Sequence, residues 1–221
     1  MTIQTMPQVT HPTIIEVHGL AKRYGRRRIF ENVRFTVPRG ALVGIEGENG
    51  AGKSTLLKCL VGLLKPDAGT IALHGRMGYC PQEPLLADSL TAQEHFTMFG
   101  AGYGLSARET SWRSERLMET FRCAKYARTR VDRMSGGSKQ KINLIAALLH
   151  QPDVLVLDEP YQGFDYETYQ IFWAYAERYC QEGGSVVVVS HMHTEKHRFT
   201  TMLKLAEGTL AEGTRPEGRT S

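Results

Sequence analysis

Eight consecutive residues, Gly47-Glu48-Asn49-Gly50-Ala51-Gly52-Lys53-Ser54, match the pattern G-x-x-x-x-G-K-[ST] and carry the strongest chemical signal in the chain. A polyphosphate held by main-chain N–H groups needs glycines where a Cβ would bar its approach. A helix beginning beyond Gly52 adds the positive end of its dipole. Within the pattern Lys53 reaches the β- and γ-phosphates, Ser54 offers a hydroxyl to Mg²⁺, and Thr55 is placed to contact the α-phosphate. The bland rival is an ordinary glycine turn, and composition alone would produce the pattern in roughly one chain of this length in a hundred. A second group answers the first. Val154-Leu155-Val156-Leu157-Asp158-Glu159 is an apolar run closed by two carboxylates, which such a site uses to hold Mg²⁺ through water and to polarise the attacking water. Both together predict binding and hydrolysis of ATP.

These groups need elements to position them. Ala41 to Ile45 reads as a buried strand leading into the glycine stretch, and Lys53 to Gly62 reads as a helix closed by Gly62. Upstream, Ile14 to Val17 and Ile29 to Val37 are β-type runs broken by Gly25 and Pro38, forming an antiparallel edge layer. Thr70 to Leu73 and Met77 to Tyr79 are short strands joined by a turn at His74-Gly75-Arg76. From Thr91 to about Phe121 the pattern is helical, opened by Thr91-Ala92-Gln93-Glu94 and again by Ser106-Ala107-Arg108-Glu109, both of capping-box form. A helical lobe, about 84–150, is therefore expected between strands. Strand Val154 to Leu157, a helix from Asp165 to Gln181 with a stripe at Phe172, Tyr175, Ala176 and Tyr179, and strand Ser185 to Ser190 imply a right-handed parallel crossover.

The composition bounds what the site serves. In 221 residues, 41% are hydrophobic and 23% charged, which suits one compact domain with a lobe. Lys plus Arg number 27 against 23 Asp plus Glu, a net charge of +4 that is too small to argue for a nucleic-acid partner. The densest basic run, Arg26-Arg27-Arg28, fits a solvated turn. Cys59, Cys80, Cys123 and Cys180 form no C-x-x-C pair and suggest a reducing cytosol. His191 and His193 alternate along a strand end and face opposite sides, so with His197 they do not compose a metal site. No leader pattern opens the chain, and no apolar run approaches the ~18 residues of a spanning helix. Any membrane role is therefore expected to be peripheral.

From about Ile14 to Gly213 the sequence resembles the ATP-binding-cassette family. Met134-Ser135-Gly136-Gly137-Ser138 is similar to the signature that separates these cassettes from other P-loop ATPases. Gln82, in Tyr79-Cys80-Pro81-Gln82, resembles the Q-loop glutamine, Gln162-Gly163-Phe164-Asp165 the D-loop, and His191 the switch histidine. Tyr24 stands where the family places an aromatic that stacks on adenine. Two positions depart from the pattern: Ser138 replaces a usual Gln, and Tyr161 occupies a place where a small hydroxyl residue is usual.

The resemblance implies an α/β fold, a P-loop NTPase (RecA-like) core with an antiparallel β edge layer and an inserted α-helical lobe. It implies a single domain over 13–215, between a flexible tail at 1–12 and a frayed end at 216–221, with no regulatory domain after Gly213. ATP and Mg²⁺ are the implied ligands. Ser54, Gln82 and Asp158 organise the metal, Glu159 accepts the water proton, and His191 steadies the γ-phosphate. Ser135, Gly136 and Gly137 face the nucleotide of a second cassette, which is a copy of this chain or a different one. The implied role is a motor at the cytoplasmic face of the membrane, peripheral to a separate multi-helix transmembrane permease. The lobe between Gln82 and Leu105, with the exposed-type aromatics Phe96, Phe99 and Tyr103, is the expected docking region; part of that stripe must pack inside the lobe, and the apolar patch left over would form the groove. The stretch from Ser89 to Phe96 is more similar to exporters, whereas the short link before Gln82 resembles metal-ion importers, and export is favoured. The alternative is a soluble cassette ATPase acting on ribosomes or DNA. Such proteins usually carry two cassettes or long coiled coils, and this chain has one cassette and no heptad run.

Overall fold

Strands β1 (Thr13–Tyr24) and β2 (Arg27–Pro38) pair antiparallel around a turn at Gly25 and Arg26, from Thr13 opposite Pro38 to Tyr24 opposite Arg27. The computed structural model describes residues 12–190 and 193–212. Residues 1–11 of the expected tail, the expected frayed end and His191 lie outside the described residues. After β2 come β3 (Leu42–Glu46), α1 (Lys53–Leu60), β4 (Ala68–Leu73) and β5 (Met77–Cys80). The lobe helices α2 (Ala92–Gly102), α3 (Ala107–Thr120) and α4 (Gly136–Leu148) follow, then β6 (Val154–Asp158), α5 (Tyr166–Gln181), β7 (Ser185–Val189), β8 (Thr201–Ala206) and β9 (Thr209–Glu212).

The strands make two sheets. One is antiparallel, in the order β2-β1-β4, and contains both strands of the expected edge layer with β4 added. The other runs β5-β6-β7-β3-β8-β9, parallel except for the last pair. The two short strands around His74 therefore do form, but the turn between them separates two sheets, because β4 pairs with β1 while β5 pairs with β6. Strands β8 and β9 had no counterpart in the sequence reading.

Both faces of the parallel sheet are covered, which explains its unbroken apolar strands. Val154 and Val156 of β6 and Val187 and Val189 of β7 pack with α1 and the edge layer. Their alternating neighbours Leu155, Leu157, Val186 and Val188 pack with the lobe, α4 and α5. Strand β6 is thus the wall between two cores and fixes Asp158 at its end.

Both capping boxes in the lobe are complete: Thr91 N–H donates to Glu94 Oε2 at 2.7 Å and Ser106 N–H to Glu109 Oε2 at 3.2 Å. The aromatic stripe divides by helical period, part of it packing inside the lobe as expected. Ala92, His95 and Phe96 form the buried face of α2, and Phe96 is only 1% exposed. Phe99 packs against the same core, while Tyr103 remains 45% exposed and stacks on His150 with ring centroids 3.9 Å apart. Phe96 is lobe core, and Phe99 is partly buried against it.

Candidate active site

The parallel strands end level with one another: Ile45 and Asp158 each lie opposite Val189, and Cys80 lies opposite Leu157. The loops that follow therefore collect along one carboxyl edge, where such sheets bind ligands. Gly47 to Gly52 leave β3, Gln82 follows β5, and Asp158 and Glu159 close β6. At Gly52, φ is 103° and a Cβ would sit 2.5 Å from Ile29 Cγ2, so glycine is required both by conformation and by space. The same contact sets the start of β2 against the loop, while Tyr24, the last residue of β1 and opposite Arg27, is 51% exposed.

Helices α2 to α5 each begin with a side-chain cap from Thr91, Ser106, Ser135 and Asp165, whereas no side chain caps α1. Its first N–H groups are left to an anion, as a phosphate site requires. Lys53 is buried beside them and donates to Gly47 O at 2.7 Å and Glu48 O at 2.9 Å. Burial lowers its pKa, against the opposing charges of Glu159 and Asp158.

Asp158 is 3% exposed, and burial raises its pKa; the Ser54 hydroxyl opposes this by donating a hydrogen bond, while the charge of Glu159 adds to it. Its Oδ1 has no hydrogen-bond partner. A buried carboxylate oxygen left open beside a hydroxyl fits a hard divalent cation, which takes oxygen ligands and neutralises the buried charge. Gln82 Nε2 donates to Glu159 Oε2 across 3.4 Å, closing the group from the lobe side. Lys53, Ser54, Gln82, Asp158 and Glu159 are thus brought together, next to the loop amides.

Behind Gln82 lies a contact that the sequence reading missed. Asn143 of α4 donates to Pro81 O at 2.9 Å and to Cys80 Sγ at 3.3 Å, with Gln140 accepting from it at 3.3 Å. Both amides are buried and tie the signature helix to the residue before Gln82. The sequence signal for Asn143 is its polarity within an otherwise apolar run from Ile142 to Leu149, and Gln140 lies one turn before it.

The signature residues stand apart. Ser135 caps α4 by accepting from Ser138 N–H at 3.3 Å, and Ser138 Oγ lies 2.9 Å from Ser135 Oγ, so the short side chain at 138 is absorbed into the cap. Gly137 meets the D-loop so closely that a Cβ there would lie 2.0 Å from Gly163 O. Lys141 strengthens this junction, donating to Thr168 Oγ1 at 2.6 Å and Asp165 Oδ2 at 3.4 Å. Asp165 accepts from Thr168 N–H and its pKa falls to about 2. The cleft over this surface, about 320 Å³ and bounded by Ser135, Gly137, Ser138, Lys141 and Gly163 among others, has no P-loop residue in its lining.

Residues 30–162 match the family model described as ABC transporter. The chain is also 34% identical over 213 residues to the Nod factor export ATP-binding protein I of Burkholderia lata, covering 88% of this chain and 70% of that one. The chain belongs to the ABC transporter family. A solved ATP-binding subunit of an ABC transporter superposes with a TM-score of 0.84 at 30% identity, over 91% of this chain and 90% of that one. A dimeric ATP-binding cassette in a post-hydrolysis state, bound to ADP and Pi, shares the fold with a TM-score of 0.85 at 22% identity, over 93% of this chain and 100% of that one. This ABC protein is an ATP-binding transporter subunit and an ATPase. Among its described residues no helix is long and apolar enough to cross a membrane.

Proposed function

We propose that this cassette drives a separate multi-helix transmembrane subunit from the cytoplasmic face of the membrane, in the direction of export. The observation that carries this reading is the 34% identity to an ATP-binding protein named for export. The lobe offers a surface for docking: Leu85, Met98 and Tyr103, all exposed apolar residues, lie between Gln82 and Leu105. Tyr103 keeps its expected place in the docking region, whereas the buried Phe96 drops out of it.

The grouping of Lys53, Ser54, Gln82, Asp158 and Glu159 at one sheet edge supports the roles expected of them. Lys53 and the amides of the loop from Gly47 to Gly52, including those of Asn49, Gly50 and Ala51, spread the phosphate charge, with Thr55 at the α-phosphate and Tyr24 stacked on adenine. Ser54, Gln82 and Asp158 hold Mg²⁺, which neutralises charge on the β- and γ-phosphates when bound. Glu159 takes the proton of the attacking water, and Gln82 holds its carboxylate in line. His191 is assigned to the γ-phosphate from its place in the family pattern. Ser135 and Gly137 line a cleft without a P-loop residue, which supports assigning Ser135, Gly136 and Gly137 to the nucleotide of a second cassette, in the first instance another copy of this chain. A different cassette partner is the alternative.

Purification of the tagged chain from its native host in mild detergent tests the partner. A polytopic membrane protein should come with it, and recovery of ribosomal or DNA-bound complexes in its place would overturn the reading. Glu159→Gln keeps the shape of the side chain but cannot accept the proton, so ATP should stay bound and a dimer accumulate on size exclusion. A monomer at every concentration of this variant argues against self-pairing.

A further inference from the structure

The backbone leaving β6 is bent at the residue that acts on water. Glu159 has φ of 48°, in the left-handed region that costs a non-glycine residue about 1 kcal/mol and persists only where the surroundings impose it. The imposing contacts can be named. Glu159 N–H donates to Val189 O at 3.2 Å, and Gln162 N–H folds back to Glu159 O at 3.2 Å. Two residues further on, the Tyr161 phenol donates to Ser190 Oγ at 2.6 Å, and Phe164 N–H donates to Tyr161 O at 3.0 Å. Residues 159 and 161 are therefore both fastened to the end of β7. Ser190 is fixed in turn, since its N–H donates to Ile45 O, on the strand that leads into the P-loop, at 3.3 Å.

The ring of Tyr161 is held as firmly as its hydroxyl. It lies against Tyr169, Phe172 and Trp173 of α5, with centroid separations of 5.3, 5.7 and 5.8 Å. A short hydroxyl–hydroxyl bond on a buried serine, with the donor ring clamped by three aromatics, has little freedom to drift. This tyrosine is one of the two positions at which the chain departs from the family pattern, and no step assigned above uses it.

We propose that Tyr161 is a positioning residue for hydrolysis: its phenolic bond to Ser190 holds the bent turn that aims the Glu159 carboxylate. The proposal rests on Glu159 as the proton acceptor. The described contacts of Tyr161 run to Ser190 and to the aromatics of α5, on the side of the turn that bears Glu159, so its loss should act on the chemical step and leave affinity for ATP in place. Misplacing a reacting group by about 1 Å costs up to ~100-fold, and loosening one of several restraints should cost about tenfold.

The test is steady-state ATP turnover over a range of ATP concentrations, with thermal melting of each variant. Tyr161→Phe keeps the ring and removes the bond; Ser190→Ala removes the acceptor. Each should lower kcat about tenfold with KM within about twofold. The double variant should be no slower than either single one, because the same bond is lost in all three. In a Glu159→Gln background, Tyr161→Phe should change the residual rate by less than about twofold. Wild-type kcat in Tyr161→Phe, a raised KM at unchanged kcat, or multiplied losses in the double variant would overturn the proposal. An equal tenfold loss in the Glu159→Gln background would do the same, as would a kcat loss no larger than the unfolded fraction seen by melting. Wild-type turnover in Glu159→Gln alone would instead remove the proton-acceptor assignment, a result separate from the coupling between Tyr161 and Ser190.

Discussion

Gly136 and Gly137 are neighbours in one motif, yet the structure predicts opposite responses to the same added methyl group. A Cβ on Gly137 would lie 2.0 Å from Gly163 O, and a Cβ on Gly136 would meet nothing within 4 Å. An ordinary C···O contact is about 3.3 Å, so in Gly137→Ala the D-loop must retreat from α4 by roughly 1.3 Å. Backbone faces backbone here, so no side-chain rotation relieves the contact. Overpacking of this kind costs about 2 kcal/mol, and for a chain of this size that lowers Tm by about 4–8 °C. The same retreat moves Gly163 and strains the Lys141 bonds to Thr168 and Asp165. A displacement near 1 Å at a catalytic boundary costs up to ~100-fold in turnover. Gly136→Ala, at the first position of α4, should instead leave Tm unchanged or raise it slightly, since Ala is the better helix former by up to about 1 kcal/mol. Thermal unfolding of the two purified variants without nucleotide decides the matter. Equal melting temperatures for Gly137→Ala and wild type, or equal losses for the two substitutions, would refute the packing argument.

Lys53→Ala removes a buried cation that faces the phosphates and should weaken ATP binding by about 2 kcal/mol, roughly 30-fold, with turnover lost; calorimetric titration measures the first and phosphate release the second. Burial raises the Asp158 pKa, so the folded state binds that proton more tightly than the unfolded chain does. The ionised carboxylate therefore destabilises the ligand-free fold once pH has risen through its folded pKa. The penalty is absent below the unfolded value of about 3.9. Asp158→Asn should raise Tm at about pH 8 while abolishing hydrolysis, with the gap in Tm closing toward about pH 4; an equal gap at both pH values counts against the assignment. Asn143→Ala leaves Pro81 O with the longer contacts from Gln140, at 3.5 Å, and from the Cys80 thiol, at 4.0 Å. It should cost about 1 kcal/mol, or about 3 °C in Tm, and slow turnover more than it raises KM, as melting and initial rates can report.

The sequence by itself determined the local chemistry. The glycine loop, the strand ending in Asp158 and Glu159, and both capping boxes were legible because each is a short-range arrangement, in which spacing along the chain fixes spacing in space. The β1–β2 pair of the edge layer was legible for the same reason, since a hairpin brings its own partners together. Family resemblance supplied Gln82 and the signature, which spacing alone leaves as a loop glutamine and a helix cap. Only the tertiary structure decided which distant segments meet. Long-range contacts separated β4 from β5 into different sheets, buried Phe96, and placed Asn143 behind Gln82. Strands β8 and β9 escaped the sequence reading because each is short and is held by its neighbours more than by its own pattern. The bond from Tyr161 to Ser190 spans 29 positions and needs the parallel register of β6 and β7 before it exists. Local spacing writes the groups that do chemistry, and packing across the sheet sets the distances at which they can do it.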